Sequence, residues 1–445
     1  MNSRNARGGT LEHEHLDQAA LDRLLALDRT EEQTRALLHL LAVCPECHKV
    51  GGYILDLHRD GLLPHSFGVV DLNLARSRAE APQLWESLRH LPHPRRLSLA
   101  QAGNPFLSWG FCELLCGKSK DFGADDAVKA VELAELAVLI ADHLAEEESE
   151  ERWLYQLRAY AWGHLGNARR VQGDLKSAED AFAISDQWWG AGEEGTGDAL
   201  GYRPVLLDLK ASLRNIQGDH STAVELLHEA FDLYLESGET HRAGRVLVNE
   251  SYVLLEKGEP DRAIPVLARA EELIDPEREP RLILCARHNL VDNLSKAGRF
   301  SEARALLPQV RELSRSAGSE LDRVRLRWVE ARIAAGLGEP DEARQAFSEA
   351  QRGFLGQCIA YDAALVSLEM AMFLLQEGRT AEVRELAREM ILIFQAQEIH
   401  REALAALAVF QAAAALDSAT VEFAREIAAF LARARHDPGL RFEQK

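Results

Sequence analysis

Hydrophobic and polar residues along this chain follow a helical period, and glycines divide the pattern into units of nearly constant length. Each of these glycines is followed by Asp, Glu or Arg and then, four residues later, by a hydrophobic, helix-forming stretch. After one slightly longer interval the spacing is constant, in the series Gly173, Gly218, Gly258, Gly298, Gly338 and Gly378. A constant period of this size is typical of stacked-repeat proteins, whose units bury their apolar faces against one another.

Each unit has the pattern of a helix, a turn and a second helix. With the glycine placed at position 15 of the unit, position 8 holds a small residue in every unit but one, where Val291 stands. Position 20 holds alanine in five of the six units, and position 24 holds a large hydrophobic residue, Leu or Phe, in five. Small residues let two helices cross closely, and the large residue fills the space between units. This register predicts that Ala263 and Ala303 are buried and that the glycines adopt positive φ.

The unit resembles the tetratricopeptide repeat family. The match is best in one unit, which carries five of the residues that this family prefers, at Trp162, Leu165, Gly166, Ala178 and Phe182. The resemblance covers roughly residues 95–435. The period here is about 40 residues, longer than the usual value of about 34 for this family. The extra residues correspond to about 9 Å of helix, so the resemblance implies longer helices than the family average.

We therefore predict an all-α protein, a right-handed α-solenoid of tetratricopeptide-like helix pairs with a small helical module at its N-terminus. Helices at about 106–117 and 125–146 form a divergent first pair, and residues 400–434 form the final pair. The segments are a disordered stretch at 1–10, the helical module at 11–60, an irregular connector at 61–105 with a short helix around 82–91, the repeats at 106–435 and a frayed tail at 436–445.

The N-terminal module carries histidines and cysteines at a spacing that suits zinc. Cys44 and Cys47 form a Cys-x2-Cys knuckle, which can present two thiolates to one tetrahedral ion. The segment 12–60 resembles the zinc-binding anti-sigma domain, whose pattern is one His and, after a long interval, His-x3-Cys-x2-Cys. The interval between His15 and His39 is close to that of the pattern. The resemblance implies a zinc site formed by His15, His39, Cys44 and Cys47, and a sigma factor as partner.

One departure from that pattern leaves alternatives open. The spacing here is His-x4-Cys, because Leu40 adds one residue between His39 and Cys44. Residues five apart are rotated by about 100° more around a helix than residues four apart. Either the helix ends before Cys44, or the metal uses His48, or the module binds no metal and folds on its leucines alone. Cys112 and Cys116 are expected to be buried as small hydrophobic residues.

The first helix of each pair is expected to line a groove through positions 2, 5, 6, 9 and 12. Asn249 and Asn289 share position 6 in adjacent units, and amides can both donate to and accept from an extended peptide backbone. Arg325 and Arg332 could each receive a carboxylate. Asp292 and Glu369 also fall on these positions. The predicted partner-binding residues are Asn249, Tyr252, His288, Asn289, Arg325, Trp328 and Arg332.

Charge and composition exclude several classes of function. The formal net charge is −20, which disfavours binding to nucleic-acid phosphates or anionic lipids. No apolar stretch approaches the length of about 18 residues that a membrane span needs, and the N-terminus lacks the hydrophobic segment of a secretory signal. We therefore expect a cytoplasmic protein. No Walker loop, dinucleotide fingerprint, nucleophile elbow or kinase motif occurs, and His13-Glu14-His15 lacks the spacing of a metalloprotease.

The function expected from the sequence is protein–protein recognition in bacterial signalling or transcription control, without enzymatic activity. The N-terminal module would bind a sigma factor or another signalling partner, and the repeats would act as scaffold or sensor. Two alternatives stand beside this. The repeats are a receptor for a peptide or small ligand, or the protein is an adaptor in a larger assembly such as a defence or protease complex. The sequence does not indicate an oligomeric state.

Overall fold

The computed structural model is all-helical in the residues that it describes, which are 72–103, 105–123, 125–144, 151–192, 198, 200–396, 401–434 and 440–442. Contacts divide the chain into two units. The first unit contains the described residues up to Leu213 together with Leu233–Glu239, and the second contains Arg214–Asp232 and the residues from Thr240 onward. The predicted segments 1–10 and 11–60 lie outside the described residues.

Antiparallel helices follow one another along both units. The helices that begin in the first unit are α1 Leu72–Leu88, α2 His93–Gln101, α3 Trp109–Phe122, α4 Ala127–His143, α5 Glu151–Gln172, α6 Leu175–Gly192 and α7 Arg203–Ile216. Those that begin in the second are α8 His220–Glu236, α9 Thr240–Glu256, α10 Pro260–Leu273, α11 Pro280–Lys296, α12 Phe300–Ser316, α13 Glu320–Gly336, α14 Pro340–Gly356, α15 Ala360–Gln376, α16 Thr380–Ala396, α17 Arg401–Ala415 and α18 Val421–Ala434. The predicted all-α solenoid of helix pairs is confirmed.

The glycines and small residues of the repeat behave as the register predicts. All six periodic glycines have φ between +71° and +92°, a conformation that side chains with a Cβ rarely adopt. Ala263 and Ala303 are 0% exposed, as is Val291, the exception at position 8. At the equivalent Gly166, an added Cβ would lie 2.8 Å from the ring of Phe182. The small residue therefore sets how closely the two helices of a pair approach.

The segment 61–105 is not irregular in its described part. It contains α1 and α2, which pack on α3 and α4 respectively. Pro82 lies inside α1, where the sequence suggested the start of a short helix. Burial of Ala81, Trp85 and Leu88 on one face stabilises the helix through this proline. Arg78 of α1 also donates two hydrogen bonds of 2.6 Å to the carboxylate of Glu113 on α3.

The last four helices close into a ring in place of continuing the stack. Within the described residues, α15 packs on α16, α16 on α17, α17 on α18, and α18 returns to α15. The final predicted pair, 400–434, is thus present as α17 and α18 but ends the repeat series. The tail is not frayed at residues 440–442, because Phe442 packs edge-on against Phe430 with ring centroids 5.0 Å apart.

We predict that Ala303→Leu destabilises the fold by roughly 1–3 kcal/mol, because the added carbons overpack the contact between α12 and its neighbours. The matched control is Ala305→Leu on the same helix, where the side chain is exposed. Chemical denaturation of both variants measures the difference. Equal stability of the two variants would contradict the register.

Candidate functional site

The predicted zinc ligands cannot be placed. His15, His39, Cys44 and Cys47 all lie outside the described residues. In the part of the chain that the structure does describe, no three histidine, cysteine, aspartate or glutamate side chains are arranged to hold a metal ion. Cys112 and Cys116 are free and fully buried, as expected for small hydrophobic residues. Nothing in these helices therefore bears on the zinc prediction.

The predicted partner-binding residues all lie in the second unit, on α9, α11 and α13. These three first helices contact one another in sequence, α9 on α11 and α11 on α13. We call the set the polar strip, and it consists of Asn249, Tyr252, His288, Asn289, Arg325, Trp328 and Arg332. Because the helices stack with a constant period, equivalent positions such as Asn249 and Asn289 follow one another along the strip.

On α5, in the first unit, two of the corresponding positions are buried. His164 is 2% exposed and Asn167 is 6% exposed. Burial lowers the pKa of His164 to about 3, so the ring is neutral. Arg170 donates hydrogen bonds of 2.9 and 3.2 Å to the Oδ1 of Asn167. Their polar groups are enclosed by their own helices, and the second unit is the better candidate for a binding surface.

Arg332 lies on α13, the last helix of the polar strip, and is already bound by other residues of the chain. Its guanidinium donates to Asp292 on α11 at 2.5 Å and to Glu369 on α15 at 3.0 and 3.2 Å. Ser295 accepts a further hydrogen bond at 3.1 Å. Arg332 therefore joins three consecutive first helices. The carboxylates that we expected from a ligand are supplied from within the protein.

The charges of this cluster stabilise one another. Burial alone would raise the pKa of Asp292, but the charges of Lys296 and Arg332 outweigh it and hold that pKa well below its usual range. Lys296 lies 3.5 Å from the Asp292 carboxylate. Burial would lower the pKa of Arg332, whereas Glu369 and Asp292 raise it above the usual value for arginine. The cluster contains two carboxylates and two cations, so its formal charges sum to zero.

Trp328 is held by the same cluster. Its indole Nε1 donates to the Oε2 of Glu369 at 2.9 Å, and its ring packs edge-on against Phe354 at 5.8 Å. The Arg332 guanidinium lies 5.6 Å from the indole centroid, within the range of a cation–π contact. The ring is half-buried. Trp328 is thus held in place by other groups of the chain and presents a half-buried ring.

His288 presents one shielded nitrogen. Its Nε2 is buried and has no hydrogen-bond partner among the described residues. Burial lowers the pKa of His288, although Asp292 acts in the opposite direction. Because this pKa is lower than the ordinary histidine value of about 6.5, the ring is neutral at pH 7. His288 therefore adds no positive charge to the strip.

Two residues of the strip keep unused polar groups. The backbone carbonyl of Asn289 accepts from Asn293, but the Asn289 side chain makes no hydrogen bond with a described residue. The exposed guanidinium of Arg325 likewise has neither a hydrogen bond nor an ion pair within the described chain. Asn249 and Tyr252, by contrast, already interact with other groups of the protein. The available donors and acceptors are concentrated on α11 and α13.

Asp322 is the acidic residue closest in sequence to Arg325 on α13. The charge of Arg325 contributes to lowering the pKa of Asp322, but its contribution is smaller than those of the Ser319 hydrogen bonds and of Arg281. Arg281 forms the ion pair with Asp322, at 3.1 Å. Arg325 therefore lies within the field of Asp322 without being bound by it.

Sequence reasoning placed Asp292 and Glu369 on the groove positions without recognising their pairing with Arg332. A signal was present for one of them. Asp292 and Arg332 are separated by one repeat period, so they hold the same position in adjacent units with opposite charges. Stacked helices bring such positions together, and opposite charges at the repeat distance predict an ion pair. Glu369 departs from the period relative to Arg332 and gives no such signal.

Comparison with known proteins supports the fold. No family model matches the chain, and no curated protein matches it. A Rap protein, solved in complex with competence and sporulation factor, aligns with a TM-score of 0.52 and 12% identity, covering 74% of this chain and 87% of its own. Yeast Tom70 aligns over 89% of this chain and 92% of its own, at a TM-score of 0.36 and 13% identity.

No helix in the described residues is long and apolar enough to cross a membrane.

We predict that Arg332→Met destabilises the second unit by about 3 kcal/mol, because it leaves the partly buried Asp292 and Glu369 without their shared donor. Arg325→Met is the matched control, since Arg325 is exposed and forms no ion pair, and it should change stability by no more than about 0.5 kcal/mol. Urea denaturation of the full chain measures both. Two equally stable variants would show that the ion cluster does not hold the three helices.

Proposed function

We propose that the polar strip binds an extended peptide segment of a partner protein. The observation that carries this proposal is the pair of unused groups, the Asn289 amide and the Arg325 guanidinium, beside an indole ring that the chain holds in place. An amide can donate to and accept from a peptide backbone at once. Fixed aromatic and arginine side chains are also where binding energy tends to concentrate in protein interfaces.

The helical repeat fold is consistent with this role. Stacked repeats build long continuous surfaces from equivalent positions on successive helices. The Rap protein with a similar fold was solved with competence and sporulation factor bound. That similarity concerns the fold alone, so the ligand of the present chain is inferred from its own residues. The overall charge of −20 further favours a protein or peptide partner over nucleic acid.

We propose a regulatory role in the bacterial cytoplasm, in which the repeats hold one partner and the N-terminal module another. The specific feature behind the second partner is the arrangement His15, His39, Cys44 and Cys47, which resembles the zinc-binding anti-sigma pattern. On this proposal a sigma factor binds the module, zinc is its structural cofactor, and neither surface carries out catalysis. In the alternative, the protein is an adaptor in a larger assembly, and the repeats alone bind the partners without a contribution from the N-terminal module.

The test of the strip uses a library of displayed random peptides selected on the immobilised full-length protein. Peptides that bind the strip should lose at least about tenfold in affinity on Asn289→Ala, equivalent to about 1.4 kcal/mol. Stability should not change, because the Asn289 side chain has no partner in the described structure. Gln309→Ala, an exposed position on α12, is the control. Selected peptides that bind both variants and the unmodified protein equally would refute the proposal.

The test of the module is its metal content. Protein purified without chelator should carry about one zinc per chain, since Cys and His at this spacing form tetrahedral structural sites. Cys44→Ser with Cys47→Ser should abolish the zinc, whereas Cys358→Ser, an exposed free cysteine far along the chain, should not. Metal analysis by mass spectrometry decides this. Metal-free protein from the unmodified chain would remove the zinc site from the proposal.

A further inference from the structure

The groups that the polar strip can still offer define the chemistry of its ligand. Arg332 already donates four of its five N–H groups to Asp292, Ser295 and Glu369, so it cannot form a bidentate pair with a further carboxylate without losing one of these bonds. The nearby cations are paired as well, Lys296 with Asp292 at 3.5 Å and Arg281 with Asp322 at 3.1 Å. Arg325 is therefore the cation of the strip that remains open to a carboxylate of the ligand.

Trp328 offers an apolar surface and no hydrogen bond. Its only donor, the indole Nε1, is engaged by Glu369 at 2.9 Å. Phe354 covers one edge of the ring, and Arg332 lies over the indole. A polar ligand group placed on the remaining part of the ring would lose its water without gaining a partner. The ring therefore selects an apolar side chain.

The spacing of these two residues matches alternate residues of an extended chain. Arg325 and Trp328 lie three positions apart on α13, and such residues are neighbours on a helix face about 5–6 Å apart. In an extended peptide, side chains two residues apart lie on the same side and are separated by about 6.6 Å. One acidic side chain and one apolar side chain, with a single residue between them, can therefore contact Arg325 and Trp328 together.

We infer that the ligand of the strip is an internal acidic segment with a carboxylate side chain and an apolar side chain two residues apart. This inference rests on the proposed function. The acidic residue is placed inside the segment because the amide of Asn289 on the adjacent α11 can bind peptide backbone beyond it. A bound carboxylate would face a neutral His288 and a charge-balanced cluster, so Arg325 alone supplies the attraction.

The experiment uses a short fluorescent peptide, acetylated and amidated at its ends, made of Gly, Ser and Asn with one Asp and one Leu two positions later. Fluorescence anisotropy with the full-length protein measures its affinity. Asp→Asn, Leu→Ser and insertion of one residue between Asp and Leu should each weaken binding by about tenfold, the usual effect of removing a charge-assisted or buried contact. A free C-terminal Asp in place of the internal one tests the other source of a carboxylate, and tighter binding of that peptide would overturn the internal placement.

A reversal of charge tests the pairing directly. Arg325→Glu should weaken the Asp peptide by more than about tenfold and should favour the same peptide with Lys in place of Asp. Arg323→Glu is the matched control, because Arg323 is an exposed arginine two positions away on α13. Arg325 forms no ion pair in the described chain, so the variant should melt close to the temperature of the unmodified protein, which a thermal scan verifies.

The outcomes separate this inference from the proposed function. If the Asp peptide and its Asn counterpart bind equally while Asn289→Ala weakens both, the strip binds peptides but does not select an acid, and the inference fails alone. If Asn289→Ala affects neither peptide, the proposed function fails with it. An unaffected affinity in Arg325→Glu, or no binding of the Asp peptide at about 1 mM, a free energy of about −4.1 kcal/mol, overturns the inference.

Discussion

Close approach of two helices at a small residue is the constraint on which this fold depends. At Gly166 a single added carbon would meet the ring of Phe182, and at Ala263 and Ala303 the methyl group is completely enclosed. The first helices α9, α11 and α13 contact one another at intervals of one repeat period. The period of the sequence thus determines which side chains of distant segments become neighbours.

The ion cluster around Arg332 is a consequence of that period. Contact between α11 and α13 places Asp292 and Arg332 together, and Glu369 reaches the same guanidinium from α15. Partly buried charges destabilise a fold unless they are paired and hydrogen-bonded. Here each carboxylate has a donor, and the charges of Asp292, Glu369, Arg332 and Lys296 cancel. The cluster therefore stabilises the contacts among α11, α13 and α15 within the second unit. It leaves no net formal charge that would repel an acidic ligand.

Much of the fold was predictable because it depends on local pattern and period. Positive φ at the glycines, burial at positions 8 and 20, and the helix pairs themselves follow from residues that recur once in every unit. The N-terminal part of α1 was missed because Pro82 suggested the start of a short helix, whereas the burial of Ala81, Trp85 and Leu88 stabilises a helix that continues through this proline. The return of α18 to α15 has no local signal either, because an amphipathic helix does not specify which neighbour covers its apolar face.

The candidate site was predictable in position but not in availability. Position within the repeat placed Asn289, Arg325, Trp328 and Arg332 on successive first helices, and the structure agrees. The sequence could not distinguish Arg325 from Arg332, since both are arginines on groove positions. The difference arises from carboxylates on the preceding and following first helices, which engage Arg332 from both sides, whereas Arg325 stays exposed. Whether a side chain can bind a ligand depends on the residues packed around it. Arg332, which is bound by other residues of the protein, is therefore less able to bind a ligand than Arg325.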